Sequence, residues 1–274
     1  MFNQNLFNTQ LFNTGDVVDQ SPINWIQYNG YVFENWFRIS NITGLDDDAD
    51  FEINTYTRAN ADGMGIDSIY ARKKERTVQG ILSSDTPGGL DTAIDQLKAT
   101  ILQRNKYFYY VRRDGTVVRT IANVQKITID RKYYHITFVP VTIKFISVDP
   151  FFYNVNDTEV SFYGQTADLN ASLLYSGGNA YTYPLIALTF NSATSVTAIT
   201  ITIDWVALSI TDTITAGDSI IIDCKQKTIF KNSITPVNYS WLFPKLDRWE
   251  KQFLVDINGT FNVDIFASWY DSYA

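Results

Sequence analysis

The chain has 274 residues, 45% of them hydrophobic, with 17 Tyr, 18 Phe and 6 Trp and a formal net charge of −7. A single Cys (Cys224) and a single His (His135) exclude an internal disulfide, a Cys-rich metal site and a His-based zinc site. Residues 1–150 carry 16 Lys/Arg against 17 Asp/Glu, and residues 151–274 carry 6 against 12, so the basic footprint of a nucleic-acid reader is missing.

Residues 1–20 read as an arm that orders against a partner. Phe2, Leu6, Phe7, Leu11 and Phe12 alternate with Asn, Gln and Thr, too polar for a core and too aromatic for a plain linker. Met1 to Gly15 has no basic n-region and no apolar h-region, so it does not read as a signal peptide. No run reaches the length of a membrane span, and no membrane insertion is expected. Strands are predicted near 31–41, 51–58 and 66–82. Between the first two, Asp46-Asp47-Asp48-Ala49-Asp50 lacks the Gly and terminal Glu of a calcium loop and reads as a solvated turn. One helix is predicted over 90–104, where Leu90, Ile94, Leu97 and Ile101 form one apolar stripe behind Pro87-Gly88-Gly89. Strands at 107–111 and 116–121 flank Arg113-Asp114-Gly115, a hairpin signal. Further strands fit 123–130, 133–139 and 141–148.

Val148-Asp149-Pro150-Phe151-Phe152-Tyr153 divides this mixed half from one that is strand pattern throughout. In Ile199-Thr200-Ile201-Thr202-Ile203-Asp204-Trp205 every odd position is apolar, the period of a strand with one buried face. Turn signals recur at Gly177-Gly178, Ala216-Gly217-Asp218 and Asn258-Gly259. The expected fold is mainly β. An α+β N-terminal domain, 1–150, packs one helix on a β-sandwich, and a C-terminal β-sandwich domain spans 151–274. Near the end, Phe253, Val255 and Ile257 form one apolar row; Phe261, Val263, Ile265, Ala267 and Trp269 form another. A two-residue Asn-Gly hairpin would put these rows on opposite faces, so a three-residue loop with a glycine bulge at Gly259 is predicted.

No catalytic constellation rises above background. His135 lies in a strand pattern and reads as structural or exposed. Cys224 reads as a strand-end thiol, with only Lys225 and Lys227 to supply the positive setting that reactive thiols need. Trp249-Glu250 invites a glycosidase or a sugar-binding surface at Trp249 and Trp269, against the plainer reading that these aromatics fill a core or an interface. Arg72-Lys73-Lys74-Glu75-Arg76 is the basic cluster; nucleic-acid or anion binding is one reading of it, and a solvated strand face, or a face that pairs with acidic residues of a neighbouring subunit, is favoured over that. No P-loop and no GxGxxG is present, and no cofactor is implied.

Four stretches carry a resemblance. They are Arg72 to Leu82 followed by the helix; Ile143 to Phe152 with its Asp-Pro-aromatic junction; Ala216 to Phe230; and Leu242-Phe243-Pro244-Lys245-Leu246. In order and spacing the chain resembles the distal tail proteins of long-tailed, siphovirus-type bacteriophages. It departs after Leu246, where Asp247-Arg248-Trp249-Glu250 replaces the family's Gly-Asn turn. The resemblance implies a galectin-like or jelly-roll second domain and a structural, non-enzymatic role in the virion tail tip. It further implies a hexameric ring between the tail tube protein and the tip or receptor-binding proteins, with DNA passing through the lumen without specific binding. Arg72, Lys73, Lys74 and Arg76 are the residues assigned to the ring contact. The alternative is a carbohydrate-binding sandwich acting in adsorption, with Trp249 and Trp269 as contacts. A β-sandwich glycosidase and a tube or baseplate protein of a contractile particle are the remaining readings.

Overall fold

A computed structural model describes residues 26–33, 37–45, 51–57, 64–133, 135–240 and 242–274. The arm at 1–20 and the acidic run at 46–50 lie outside the described residues. Among the described residues all strand pairing is antiparallel, and the strands enclose two hydrophobic cores.

The first core begins with three strands, β1 (Ile26–Tyr28), β2 (Tyr31–Val32) and β3 (Phe37–Thr43). A ribbon of β4 (Phe51–Thr57) and β5 (Met64–Ala71) follows, and then β6 (Lys74–Ser83). The helix α1 spans Pro87–Ile101 and starts three residues earlier than its apolar stripe suggests. Thr86 caps it, its hydroxyl accepting from the Gly89 N–H at 3.1 Å, and Pro87 sits in the first turn, where a missing N–H costs nothing. Its stripe of Leu90, Ala93, Ile94, Leu97 and Ile101 is buried.

Three strands complete this core: β7 (Lys106–Val111), β8 (Val117–Ile129) and β9 (Phe138–Ser147). The turn between β7 and β8 is the predicted hairpin, with Gly115 left-handed at φ +85° and the Thr116 N–H bonded to Asp114. Two strands expected at 116–121 and 123–130 are one, because β8 changes partner along its length. Its first part pairs with β7 and its second with β9. The strand expected at 133–139 is absent; 133 and 135–137 are loop and turn, and β9 begins at Phe138. The single strand expected at 66–82 is two, broken at Arg72-Lys73. Phe145 sits at the centre of the core, its ring 5.1 Å from both Tyr28 and Phe108 and 6.2 Å from Phe33, tilted or edge-on as aromatic quadrupoles prefer.

The second core is a sandwich of two sheets. Its strands are β10 (Phe152–Gln165), β11 (Leu169–Tyr175), β12 (Leu185–Thr194), β13 (Val196–Ile203), β14 (Val206–Ile214), β15 (Ser219–Asp223), β16 (Thr228–Lys231), β17 (Thr235–Pro236), β18 (Asn238–Tyr239), β19 (Trp249–Ile257) and β20 (Thr260–Tyr273). One sheet has the order β17-β16-β15-β12-β20-β10, the other β11-β19-β13-β14-β18. Along β13 the odd residues Ile199, Ile201 and Ile203 are buried, as their period requires. The apolar row ends there. Asp204 turns left-handed at φ +57°, and Trp205 is left 91% exposed.

The expected final hairpin is not formed. β19 pairs with β11 and β13, and β20 pairs with β10 and β12, so the two strands lie in opposite sheets. Asn258-Gly259 is an arch across the sandwich. Both apolar rows are buried because they face each other through the core, and no glycine bulge is needed to align them.

The turn before β15 depends on Asp218. Thr215 donates to its carboxylate from N–H and hydroxyl, each at 2.8 Å, Asn232 donates at 2.9 Å, and Lys231 lies 3.0 Å away. Burial alone would raise the pKa of Asp218, but these donors together hold it below its ordinary 3.8. A depressed folded pKa stabilises the protein above the unfolded value, and that stability is lost as pH falls through the folded one. The melting-temperature gap between the parent and Asp218→Asn is therefore expected to be full at pH 6 and to shrink below about pH 4. Thermal melts from pH 6 to pH 2.5 check this; a gap unchanged across that range contradicts it.

Candidate functional site

Two regions concentrate unusual chemistry: the junction between the cores and the β4–β5 ribbon. The junction starts from β6. Lys74, Arg76, Val78, Gly80 and Leu82 share the inner side of this strand. Arg76 is only 1% exposed, one of the largest fully buried side chains among the described residues. Its Nη1 donates to Ser147 Oγ at 2.8 Å and its Nη2 to the Pro150 carbonyl at 2.9 Å. The guanidinium carbon stands 4.2 Å from the Phe152 ring centroid. Burial pushes the guanidinium pKa down to about 10, with Asp149 opposing, so the group remains cationic at neutral pH.

Asp149 receives the other side of the junction. It accepts from the Phe151 N–H at 3.2 Å, from the Tyr153 hydroxyl at 2.8 Å and from Lys225 Nζ at 2.8 Å. Lys225 also lies 3.9 Å from the Tyr153 ring centroid. Burial, then the Asp149 charge, drives the Tyr153 pKa upward, so its hydroxyl stays a donor. Lys225 belongs to the β15–β16 turn of the second core. That turn is built by Asp223, which accepts from the N–H groups of Lys225 and Gln226 at 2.9 and 2.8 Å. The Asp-Pro-aromatic triplet thus carries contacts from both cores. Backbone pairing also crosses here, Tyr153 with Arg119 and Asn154 with Val118, so one 13-stranded sheet runs through both.

The basic cluster is therefore not one surface. Arg72 is exposed and pairs with Glu52 of β4 at 3.4 Å, while exposed Lys73 lies 3.9 Å from Glu75. Lys74 and Arg76 are buried within the chain. Sequence grouping by charge hid this; the alternation with Val78 and Leu82 was the available signal.

Among the described residues β4 and β5 form a two-stranded sheet of their own. Glu52, Ile53, Asn54 and Thr55 are all exposed, so β4 shows both faces to solvent. Ile53, 54% exposed, is the backbone partner of Ile69, with Phe51 opposite Ala71 and Thr55 opposite Ile66. That row is apolar by sequence. A two-stranded ribbon is marginal in water by itself, and strand edges are templates for pairing with another chain.

The remaining candidates separate cleanly. Trp269 is 2% exposed and forms part of the second core, so it cannot stack on a ligand; it shares its row with Val263 and Ile265, which forecast this. Trp249 is 68% exposed, with φ +88° and the Arg248 guanidinium 5.1 Å from its ring. Cys224 is fully buried, and burial together with Asp223 pushes its thiol up to about 12, which makes it inert. His135 is buried in a loop, its ring 4.9 Å from Phe138 and its Nδ1 3.1 Å from the Lys132 N–H. Among the described residues no group of three or more His, Cys, Asp or Glu side chains could hold a metal. Among them, too, no helix is long and apolar enough to cross a membrane.

The arrangement is a mainly β fold, with two strand-built cores on one continuous sheet and a separate two-stranded ribbon. Its fold is that of the SPP1 Dit protein (gp 19.1), described as a paradigm of hub adsorption apparatus in phages that infect Gram-positive bacteria. The two share 16% identity, with 92% of this chain and 100% of that one covered at a TM-score of 0.67. The phage P2 baseplate in its activated, calcium-bound conformation also aligns, at 9% identity over 89% of this chain and 97% of that one, with a TM-score of 0.43. No protein-family model matches the chain, and no curated protein does.

Proposed function

We infer that the protein is a structural hub of a phage tail tip, in which copies join through the β4–β5 ribbon into a closed ring. The ribbon carries this reading. A two-stranded element with an apolar row by sequence and an exposed first strand gains from a second copy of the same chain, because sheet edges can pair between copies. Head-to-tail contacts of that kind close into a ring when the rotation permits. The fold shared with SPP1 Dit supports the assignment, and the sequence resemblance sets the expected number at six. Residues 1–150 then form the ring domain and 151–274 the outward β-sandwich domain, placed in the virion between the tail tube and the receptor-binding parts. A net charge of −7 suits a lumen through which DNA passes without sticking. Arg72, which ties the base of the ribbon to Glu52, is the member of the basic cluster best placed at the contact.

Light scattering on the purified chain is expected to give about six times its 31.2 kDa mass, and negative stain an annulus. Ile53→Asp, which puts a charge in the ribbon's apolar row, is expected to shift the population to monomer while leaving the melting temperature within about 2 °C, as for other surface changes. A parent chain that stays monomeric at every concentration, or a variant that still closes, contradicts the reading.

A further inference from the structure

The outer face of the large sheet in the second core carries a separate constellation. β20 runs through the middle of that sheet, and both of its neighbours bulge at the same level. On β10 the register passes from Phe162 opposite Ile265 to Gln165 opposite Val263, so Tyr163 and Gly164 together face Asp264. On β12 it passes from Phe190 opposite Val263 to Ser192 opposite Asn262, which leaves Asn191 as the extra residue. A bulge disrupts the ladder and redirects a side chain, and bulges gather beside functional sites. Here two of them, on separate strands, converge on one carboxylate.

The bonds are short and mutually consistent. Gly164, left-handed at φ +61°, donates its N–H to Asp264 Oδ1 at 2.7 Å. Asn191 Nδ2 donates to Asp264 Oδ2 at 3.1 Å and to Asn262 Oδ1 at 3.2 Å. Beside them Tyr163 is 67% exposed, its ring held edge-on to Phe266 at 5.5 Å and 84°. The core does not require this arrangement. Phe190 and Val263, on the inner side of the same strands, are fully buried regardless.

From this geometry we propose a saccharide-binding site, taking a neutral pyranose, on Tyr163, Asn191, Asn262 and Asp264. A sugar ring has one apolar C–H face and a rim of hydroxyls. Tyr163 offers a fixed apolar platform for the first. Asp264 accepts from vicinal hydroxyls in charge-assisted bonds, while Asn191 Oδ1 and the Asn262 amide hydrogens, which take no part in the internal bonds, complete the rim. The internal bonds hold the trio in place before any ligand arrives, which reduces the ordering cost of binding. The constellation brings one carboxylate and no cation, so a neutral sugar fits it and an anionic one is repelled.

The site lies within a single chain and does not depend on ring closure, so its failure and that of the hub reading are distinguishable. The test is saturation-transfer-difference NMR on the full chain with the methyl glycosides of glucose, galactose, rhamnose, N-acetylglucosamine and N-acetylgalactosamine, alongside glucuronic acid. At least one neutral glycoside is expected to bind with a millimolar dissociation constant, its ring C–H protons receiving the strongest transfer, and glucuronic acid not to bind. Tyr163→Ala and Asn191→Ala are each expected to weaken binding about tenfold, with circular dichroism confirming the fold, while Tyr163→Phe stays within about twofold because the platform is kept. Absence of transfer to all five neutral glycosides overturns the proposal. So does a folded Tyr163→Ala that keeps the parent affinity, or binding that vanishes in Trp249→Ala but persists in Tyr163→Ala.

Discussion

Replacing Arg76 by alanine is expected to remove about 3–5 kcal/mol of stability, the range for breaking a buried charged network. The side chain is enclosed, so water cannot take over its roles. Its loss strands the Pro150 carbonyl and the Ser147 hydroxyl without their donors and opens a cavity against the Phe152 ring. It also leaves Asp149 without the opposing buried charge. The melting temperature should fall by about 10 °C, given about 2–4 °C per kcal/mol at this size. Arg76→Lys keeps the charge, yet a single ammonium cannot span both acceptors in the fixed fork of a guanidinium, so it should fall between alanine and the parent. Arg76→Met keeps the volume and separates packing from hydrogen bonding. An alanine variant within about 2 °C of the parent would show that the junction does not depend on this residue.

Gly259→Val is expected to cost about 2–4 kcal/mol, the sum of backbone strain and overpacking. Gly259 sits at φ +98°, where a β-branched residue is an outlier. A Cβ there would stand 2.7 Å from the Thr194 carbonyl and 2.8 Å from that of Ser195, both backbone groups that cannot swing away. The arch has little slack, because Asn258 Oδ1 accepts from the N–H groups of Thr197 and Ala198 at 2.8 and 2.7 Å. Gly217→Ala is the comparison. It has a similar φ of +87° but open space around it, so only about 1 kcal/mol is expected. Urea midpoints of the two variants check the difference; equal losses would mean that the close approach at the arch is relieved by movement of the β12–β13 turn.

Much of this fold was legible because alternation reports burial directly. The row of β13 up to Ile203, the rows of β19 and β20 and the stripe of α1 lie where their periods put them, and the hairpin at Gly115 lies where its turn residues put it. Pairing was less legible. Period two states which side chains go inside but not which strand lies alongside, so Phe253–Ile257 and Phe261–Trp269 looked like a hairpin when they face each other across the sandwich. Charge was the least reliable guide. Arg76 grouped with Arg72 and Lys73 by sequence, whereas its parity with Val78 and Leu82 placed it indoors. The Tyr163–Asn191–Asp264 cluster had no signal in the chain at all, because a bulge is a property of two strands together and each of those residues looks ordinary in its own segment.

The position of β20 sets an order of events during synthesis. Its residues, 260–273, occupy the centre of their sheet, so β10 and β12 share no partner until that segment has left the ribosome. Tyr175, made far earlier, waits 97 positions for Ser272. The first core draws mostly on strands up to Ser147, with Phe152 added and Tyr273 packed against it, so most of it can close while translation continues, whereas the second must hold raw strand edges open until its keystone arrives. Nascent chains stalled before β20 would therefore carry a nearly complete first half and a sticky, chaperone-dependent second half.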